Sequence, residues 1–190
     1  VVVHSDVSVT SSFESSSEGF NFLYDAFIRS QLTNMHGSIP SDCPHRERLG
    51  YTGDGQVCAP AAMLLLDSRE FYRKWIQDIL DCQDKVGGHV QHTAPMMGGG
   101  GGPGGWGCAI VTVPYAYYKA FGEKEMLVRC YEPMRRWLSY LMSHSENGLV
   151  VREEEGGWCL GDWCAPVELH KPEFHTKSRV LIPETYVNTV

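Results

Sequence analysis

Residues 41–56 read Ser-Asp-Cys-Pro-His-Arg-Glu-Arg-Leu-Gly-Tyr-Thr-Gly-Asp-Gly-Gln, and this run constrains the chain more than any other. It puts the carboxylates Asp42, Glu47 and Asp54, the guanidiniums Arg46 and Arg48, and the ring of Tyr51 among Pro44 and the glycines 50, 53 and 55. So much charge and turn chemistry makes a poor helix and a poor strand. The run reads as a shaped loop leading into a helix, and loops on rigid scaffolds are where chemically active groups collect. Carboxylates at several fixed spacings beside an aromatic platform are what sugar chemistry requires.

Around this run the periodicity is helical. Phe20, Leu23, Tyr24, Phe27 and Ile28 form one stripe of an amphipathic helix that His36-Gly37 ends. A second helix starts near Thr52 or Asp54 and reaches Leu66, with Pro60 predicting a kink or a late start. A third follows a Ser68 cap, with Phe71, Trp75, Ile79 and Cys82 on one face, and stops at Gly87-Gly88. A fourth runs from Ala109 to Phe121, closed by Gly122. A fifth, from Glu123 to about Ser143, carries Met126, Cys130, Met134, Trp137, Leu138 and Leu141. Asn147-Gly148 is a turn signal ahead of a short strand at 149–151, and Pro183 opens another helix. Long links follow helices one and three while short ones join the others, which suggests helical hairpins arranged in a toroid with the functional loops at one end. The partial alternation of Val1, Val3, Val7 and Val9 before a Ser-rich stretch reads as the last strand of an upstream β-domain and a linker, over 1–17.

Other classes are weakened by composition. The 190-residue chain has a net charge of −7 and no Lys/Arg run, which argues against a nucleic-acid or anionic-membrane partner. Its longest apolar run, 59–66, is broken by Pro60 and is far too short to span a bilayer. The glycines at 98–105 fit a dinucleotide-loop pattern only because nearly everything there is glycine, and neither a preceding strand nor a following Lys-Ser/Thr supports it. A flexible loop is the expectation. Seven scattered cysteines read mostly as free thiols, with Cys58, Cys82 and Cys130 in the core. They lean toward a reducing compartment without deciding between cytoplasm, periplasm and exterior. Cys159 and Cys164, with His170 and His175, match no common zinc spacing, so no metal or cofactor is expected.

The run at 42–56 closely resembles the signature of bacterial α-L-rhamnosidases: Asp-Cys-Pro-x-Arg, an optional Asp, then Glu-Arg-x-Gly-Trp/Tyr-x-Gly-Asp-x-Gln. The shorter form stands here, with Tyr51 where many members carry Trp. Gly105-Trp106-Gly107 and Gly161-Asp162-Trp163-Cys164-Ala165-Pro166 agree with further family pieces, and His4-Ser5-Asp6-Val7 is similar to the family's exit from its last β-domain. The resemblance implies an all-α fold, an (α/α)6 toroid of which residues 18–190 are the first half. It also implies an inverting glycosidase acting on terminal α-L-rhamnose, with a rhamnose-containing carbohydrate as partner; a homo-oligomer is left open.

By the same resemblance Glu47 is the general acid, and Asp42, Arg46 and Asp54 grip the rhamnose hydroxyls. Tyr51, Trp106 and Trp163 wall the pocket, where a 6-deoxy sugar offers a methyl and an apolar face. Arg46 and Arg48 flank Glu47, so a carboxylate, Asp42 or Asp54, is expected to oppose them and keep Glu47 protonated. Asp54 is also expected to cap the second helix. Trp75 and Trp137 are read as core. The family's general base lies on a later loop, so the base is expected outside these 190 residues and the isolated chain is expected to be nearly inactive. The alternatives are a related toroid or trehalase-like glycosidase for another sugar, and a non-catalytic carbohydrate-binding domain.

Overall fold

A computed structural model describes residues 5–97 and 100–152. Trp163, the Cys159/Cys164 and His170/His175 set, the helix expected from Pro183, and Val1, Val3 and His4 lie outside the described residues. Within them the order is α1 (Glu18–Asn34), β1 (Met35–His36), β2 (Ile39–Pro40), α2 (Thr52–Leu65), α3 (Arg69–Cys82), α4 (Ala109–Phe121), α5 (Lys124–Ser143), β3 (Ser145–Glu146) and β4 (Leu149–Val150).

The helices stop where their sequences say they must. Gly122 closes α4 at φ 72°, and its N–H reaches back to the Tyr118 carbonyl, a conformation that costs an L side chain about 1–2 kcal/mol. Pro60 neither delays nor ends α2, which runs on from Thr52 with the proline exposed. After α1 the chain turns through Gly37 (φ 60°) and Ser38 (φ 58°) into the antiparallel β1–β2 hairpin. Asn147-Gly148 makes the equivalent turn between β3 and β4. Both hairpins need two successive positive-φ residues to match the strand twist.

α4 is the centre of the fold and packs on α2, α3 and α5. Its buried residues Ile110, Val113 and Tyr117 meet Trp75, Ile76 and Ile79 of α3 and Trp137 and Leu141 of α5 in one core cluster. Trp75 and Trp137 are fully buried, as expected of core residues. Cys130 is buried too, while Cys58 and Cys82 are only half-buried. An ion network ties the outer ends together. Glu123, just ahead of α5, accepts from Arg69 at 2.6 Å, from Arg73 at 2.8 and 3.0 Å, and from the Tyr117 hydroxyl at 3.1 Å.

The stripe expected on α1 is apolar by period but only partly buried, with Tyr24, Phe27 and Ile28 half-buried. Phe20 and Leu23 are about three-fifths accessible, and Gln31 is the buried residue of the helix. Ile28 and Leu32 pack against the core, and α1 leans further on β1 and on the segment before it, where Tyr24 stacks on Phe13 and bonds Ser11.

The loop at 100–104 also departs from expectation. Gly101, Gly102, Pro103 and Gly104 are buried. A side chain at Gly101 would run into the His89 ring and the Val90 carbonyl. Glycine here serves a close approach between segments, and the composition that reads as flexibility marks a packed loop.

Candidate active site

The two long links meet because α2 and α4 pack with their N-terminal ends together. The backbone from Gly50 to Thr52 is stitched to 92–94: Ala94 N–H donates to Gly50 C=O at 2.9 Å, and Thr52 N–H to His92 C=O at 2.8 Å. His92 N–H in turn reaches Gly100 C=O at 3.1 Å. This short ladder of irregular strands fixes Tyr51 at the mouth of α2 and leads through the glycine loop into a 3-10 turn, Gly105–Cys108, which carries Trp106.

The loop before α2 closes on itself. Asp42 N–H bonds the Leu49 carbonyl at 3.4 Å, and Arg46 N–H bonds Cys43 C=O at 3.3 Å. Arg48 takes a left-handed backbone, φ 57°, and turns its guanidinium back to the Pro44 carbonyl at 2.7 Å. A long side chain held at positive φ beside a functional loop is stored strain that its surroundings must compensate. Arg48 is thereby spent on the loop, so of the two flanking arginines Arg46 alone is paired with Glu47, Nε to carboxylate at 3.4 Å.

The carboxylate beside Glu47 is Asp42. One side-chain donor atom from each of Asp42, Cys43 and Glu47 lies within 4.8 Å of the others. Asp42 Oδ1 is buried and has no hydrogen-bond partner among the described residues. Cys43 faces this carboxyl, which is the first cause of its raised pKa, followed by desolvation and the charges of Asp42 and Glu47. Three such atoms are within reach of one cation, and ligation by Cys43 would have to displace the thiol proton that these surroundings favour.

Tyr51 shows the same electrostatics. Desolvation raises its phenol first, then the charges of Glu47, Asp42 and Asp54. Asp54 is raised mainly by burial of its carboxyl, though the residue as a whole is exposed, and further by Asp42; a hydrogen bond from its own backbone N–H opposes both. Burial is the first cause for both Tyr51 and Asp54, and the carboxylates converging here add to it. Asp54 is not the helix cap, because Tyr51 occupies that position and Asp54 sits in the first turn, where the helix dipole favours a carboxylate.

Trp106 joins this group by packing. A Cβ on Gly53 would overlap its indole, and one on Gly55 would overlap Trp75 and Pro40. The two motif glycines therefore let α2 lie against one tryptophan of the site and one of the core. The structure thus brings together Asp42, Arg46, Glu47, Tyr51, Asp54 and Trp106; Trp163 lies outside the described residues. Sequence reasoning assigned no role to Gln56 or Cys43, nor to the 92–94 segment that holds Tyr51. Only the Gly-x-Gly spacing around Asp54 signalled a tight approach.

Comparison with known proteins matches this arrangement to one family. Residues 8–190 fit the model of the bacterial alpha-L-rhamnosidase 6 hairpin glycosidase domain. The chain is 38% identical over 164 residues to an alpha-L-rhamnosidase of Streptomyces avermitilis, covering 85% of this chain and 15% of that protein. It is 31% identical over 177 residues to one from Formosa agariphila, covering 87% and 18%. It therefore spans less than a fifth of the length of these curated relatives. The crystal structure of the Streptomyces avermitilis alpha-L-rhamnosidase complexed with L-rhamnose superposes with a TM-score of 0.81 at 34% identity, over 97% of this chain and 17% of that one. The native enzyme of Aspergillus terreus gives 0.77 at 30% identity, over 98% and 22%. Among the described residues no helix is long and apolar enough to cross a membrane. The chain belongs to the bacterial α-L-rhamnosidase six-hairpin glycosidase family.

Proposed function

We propose that the protein carrying this chain releases terminal α-L-rhamnosyl residues from rhamnosides with inversion of configuration, Glu47 acting as general acid. The observation that carries this reading is the shortage of donors at the site: Asp42 Oδ1 is buried without a partner among the described residues, and Tyr51 and Asp54 are raised first by burial and then by neighbouring carboxylates. A buried acceptor left without a donor costs about 1–3 kcal/mol, and vicinal sugar hydroxyls supply the missing donors. Asp42 and Asp54 accept from those hydroxyls, Arg46 donates to the same sugar, and Tyr51 and Trp106 line its apolar face. Trp163 is assigned to the same wall on its motif. The relatives' names and the rhamnose bound in the Streptomyces avermitilis structure support rhamnose as the sugar.

In the reaction, Glu47 transfers its proton to the glycosidic oxygen as the anomeric C–O bond breaks. A water attacks from the opposite face and loses its proton to a base. The two carboxylates of an inverting pair stand roughly 6.5–9.5 Å apart to admit that water. Asp42, with a carboxylate oxygen within 4.8 Å of one on Glu47, stands too close to be this base; the family resemblance assigns the base to a later loop, outside the 190 residues. Proton NMR of the first-formed sugar tests the mechanism: the β-anomer is expected. The α-anomer would overturn inversion and favour Asp42 as a nucleophile, since retaining pairs stand only about 5–5.5 Å apart.

A further inference from the structure

Gln56 lies one turn into α2, and both ends of its amide are used. Nε2 donates to the Gly105 carbonyl at 2.8 Å. Oε1 accepts from the Thr112 hydroxyl of α4 at 2.8 Å, the same hydroxyl lying 3.2 Å from the Cys108 carbonyl. One side chain thus ties α2 to the start and to the continuation of the segment that bears Trp106. The indole itself has little else to fix it. Its Nε1 is buried with no hydrogen-bond partner among the described residues, so the ring is located by packing on Gly53 and by wherever its backbone is anchored. Gly105, the residue before it, is anchored by this amide, and Gly107, the residue after it, packs against Trp137.

We propose that Gln56 is a positioning residue: its two-ended amide clamp sets Trp106 against the first turn of α2, at the separation from Asp54 that the sugar needs. This rests on the reading of Trp106 and Asp54 as sugar-binding residues. The chemistry of the clamp is specific. A carboxylate keeps the acceptor for Thr112 but places an acceptor against the Gly105 carbonyl, and a hydrocarbon loses both bonds. The amide offers a hydroxyl donor its oxygen and a carbonyl acceptor its N–H at once, at the reach of a Gln side chain and without a change of protonation.

The test uses the protein with its complete six-hairpin domain. Gln56→Leu is expected to raise KM for a rhamnoside by about tenfold with kcat little changed, the signature of lost uniform binding. Thr112→Val, which is close to isosteric and removes a single bond, should raise KM less. Because Gln56 acts through Trp106, adding Gln56→Leu to Trp106→Ala should leave KM no worse than Trp106→Ala alone. Multiplying defects in the double variant, or a fall in kcat at unchanged KM that tracks the folded fraction, would overturn the proposal. A second readout needs no substrate: 19F NMR of 5-fluorotryptophan-labelled protein, with the Trp106 resonance assigned by its loss in Trp106→Phe. In Thr112→Val and Gln56→Leu this resonance should shift or broaden while that of Trp75 stays fixed; Trp137, against which Gly107 of the same turn packs, is no reference. An unmoved Trp106 resonance in a folded Gln56→Leu protein would sink the clamp, whatever sugar the site accepts. A moved resonance in a protein that releases no rhamnose would sink the rhamnosidase reading instead.

Discussion

Asp54 is placed where binding and stability pull apart. Its folded-state pKa is raised by burial and by Asp42, so the folded protein holds that proton more tightly than the unfolded chain does. Stability therefore falls as pH rises through the raised value, and ionised Asp54 works against folding at neutral pH. Asp54→Asn should raise the melting temperature at pH 7, with the advantage shrinking as pH is lowered through the carboxylate range. Thermal melts of the two proteins across pH check this; a lower melting temperature for Asp54→Asn at pH 7 would refute it. Rhamnoside KM should rise in the same variant. The presence of these residues was legible, because a loop carrying three carboxylates, two arginines and a tyrosine has few other uses. Their partners were not. That Arg48 is turned away from Glu47 by a left-handed backbone, or that Tyr51 rather than Asp54 caps α2, depends on dihedral angles that no local composition encodes.

The helices themselves follow from period and punctuation, and so α4 ends at Gly122 where the sequence says it should. What escaped was decided by long-range pairing. The glycine run reads as flexible residue by residue, yet pairing of 91–92 with 100–101 goes with burial of residues 101–104. The α1 stripe reads as one face of an amphipathic helix, but how deeply it is buried depends on a partner surface as well as a period. Close approach between elements carries a prediction of its own. Gly55 faces Trp75 and Pro40 with no room for a methyl, and Trp75 is pinned by its Nε1–H to the Ala94 carbonyl at 3.0 Å. Gly55→Ala should destabilise by about 1–3 kcal/mol, the usual cost of overpacking, although alanine is the better helix former. Denaturant melts measure this directly. A neutral or stabilising result would mean that α2 and α3 slide apart at little cost.

At the scale of the molecule, one buried histidine among the described residues makes stability sensitive to acid. His92 is 2% exposed. Desolvation first, then the charge of His89, lowers its pKa from 6.5 to about 4. Between those values the unfolded chain binds a proton that the folded one refuses, so stability is full above about pH 6.5 and drains away toward pH 4. The loss amounts to roughly 3 kcal/mol if the whole shift is expressed. His92→Gln should flatten the stability–pH curve over that window, as chemical denaturation at several pH values can measure. An unchanged slope would place the acid sensitivity elsewhere. Since His92 lies in the ladder that holds Tyr51, its charging should also loosen the mouth of the site. The central claim is that Glu47 gives the proton, and the most direct test is rhamnose release by Glu47→Gln, in the protein with its complete domain, from two substrates. A sugar leaving group needs that proton far more than an activated phenol does. The variant should lose about 10²–10⁴-fold on a rhamnosyl disaccharide and under about tenfold on an aryl α-L-rhamnoside. Equal losses on both, or a wild-type protein that releases rhamnose from neither, would contradict it.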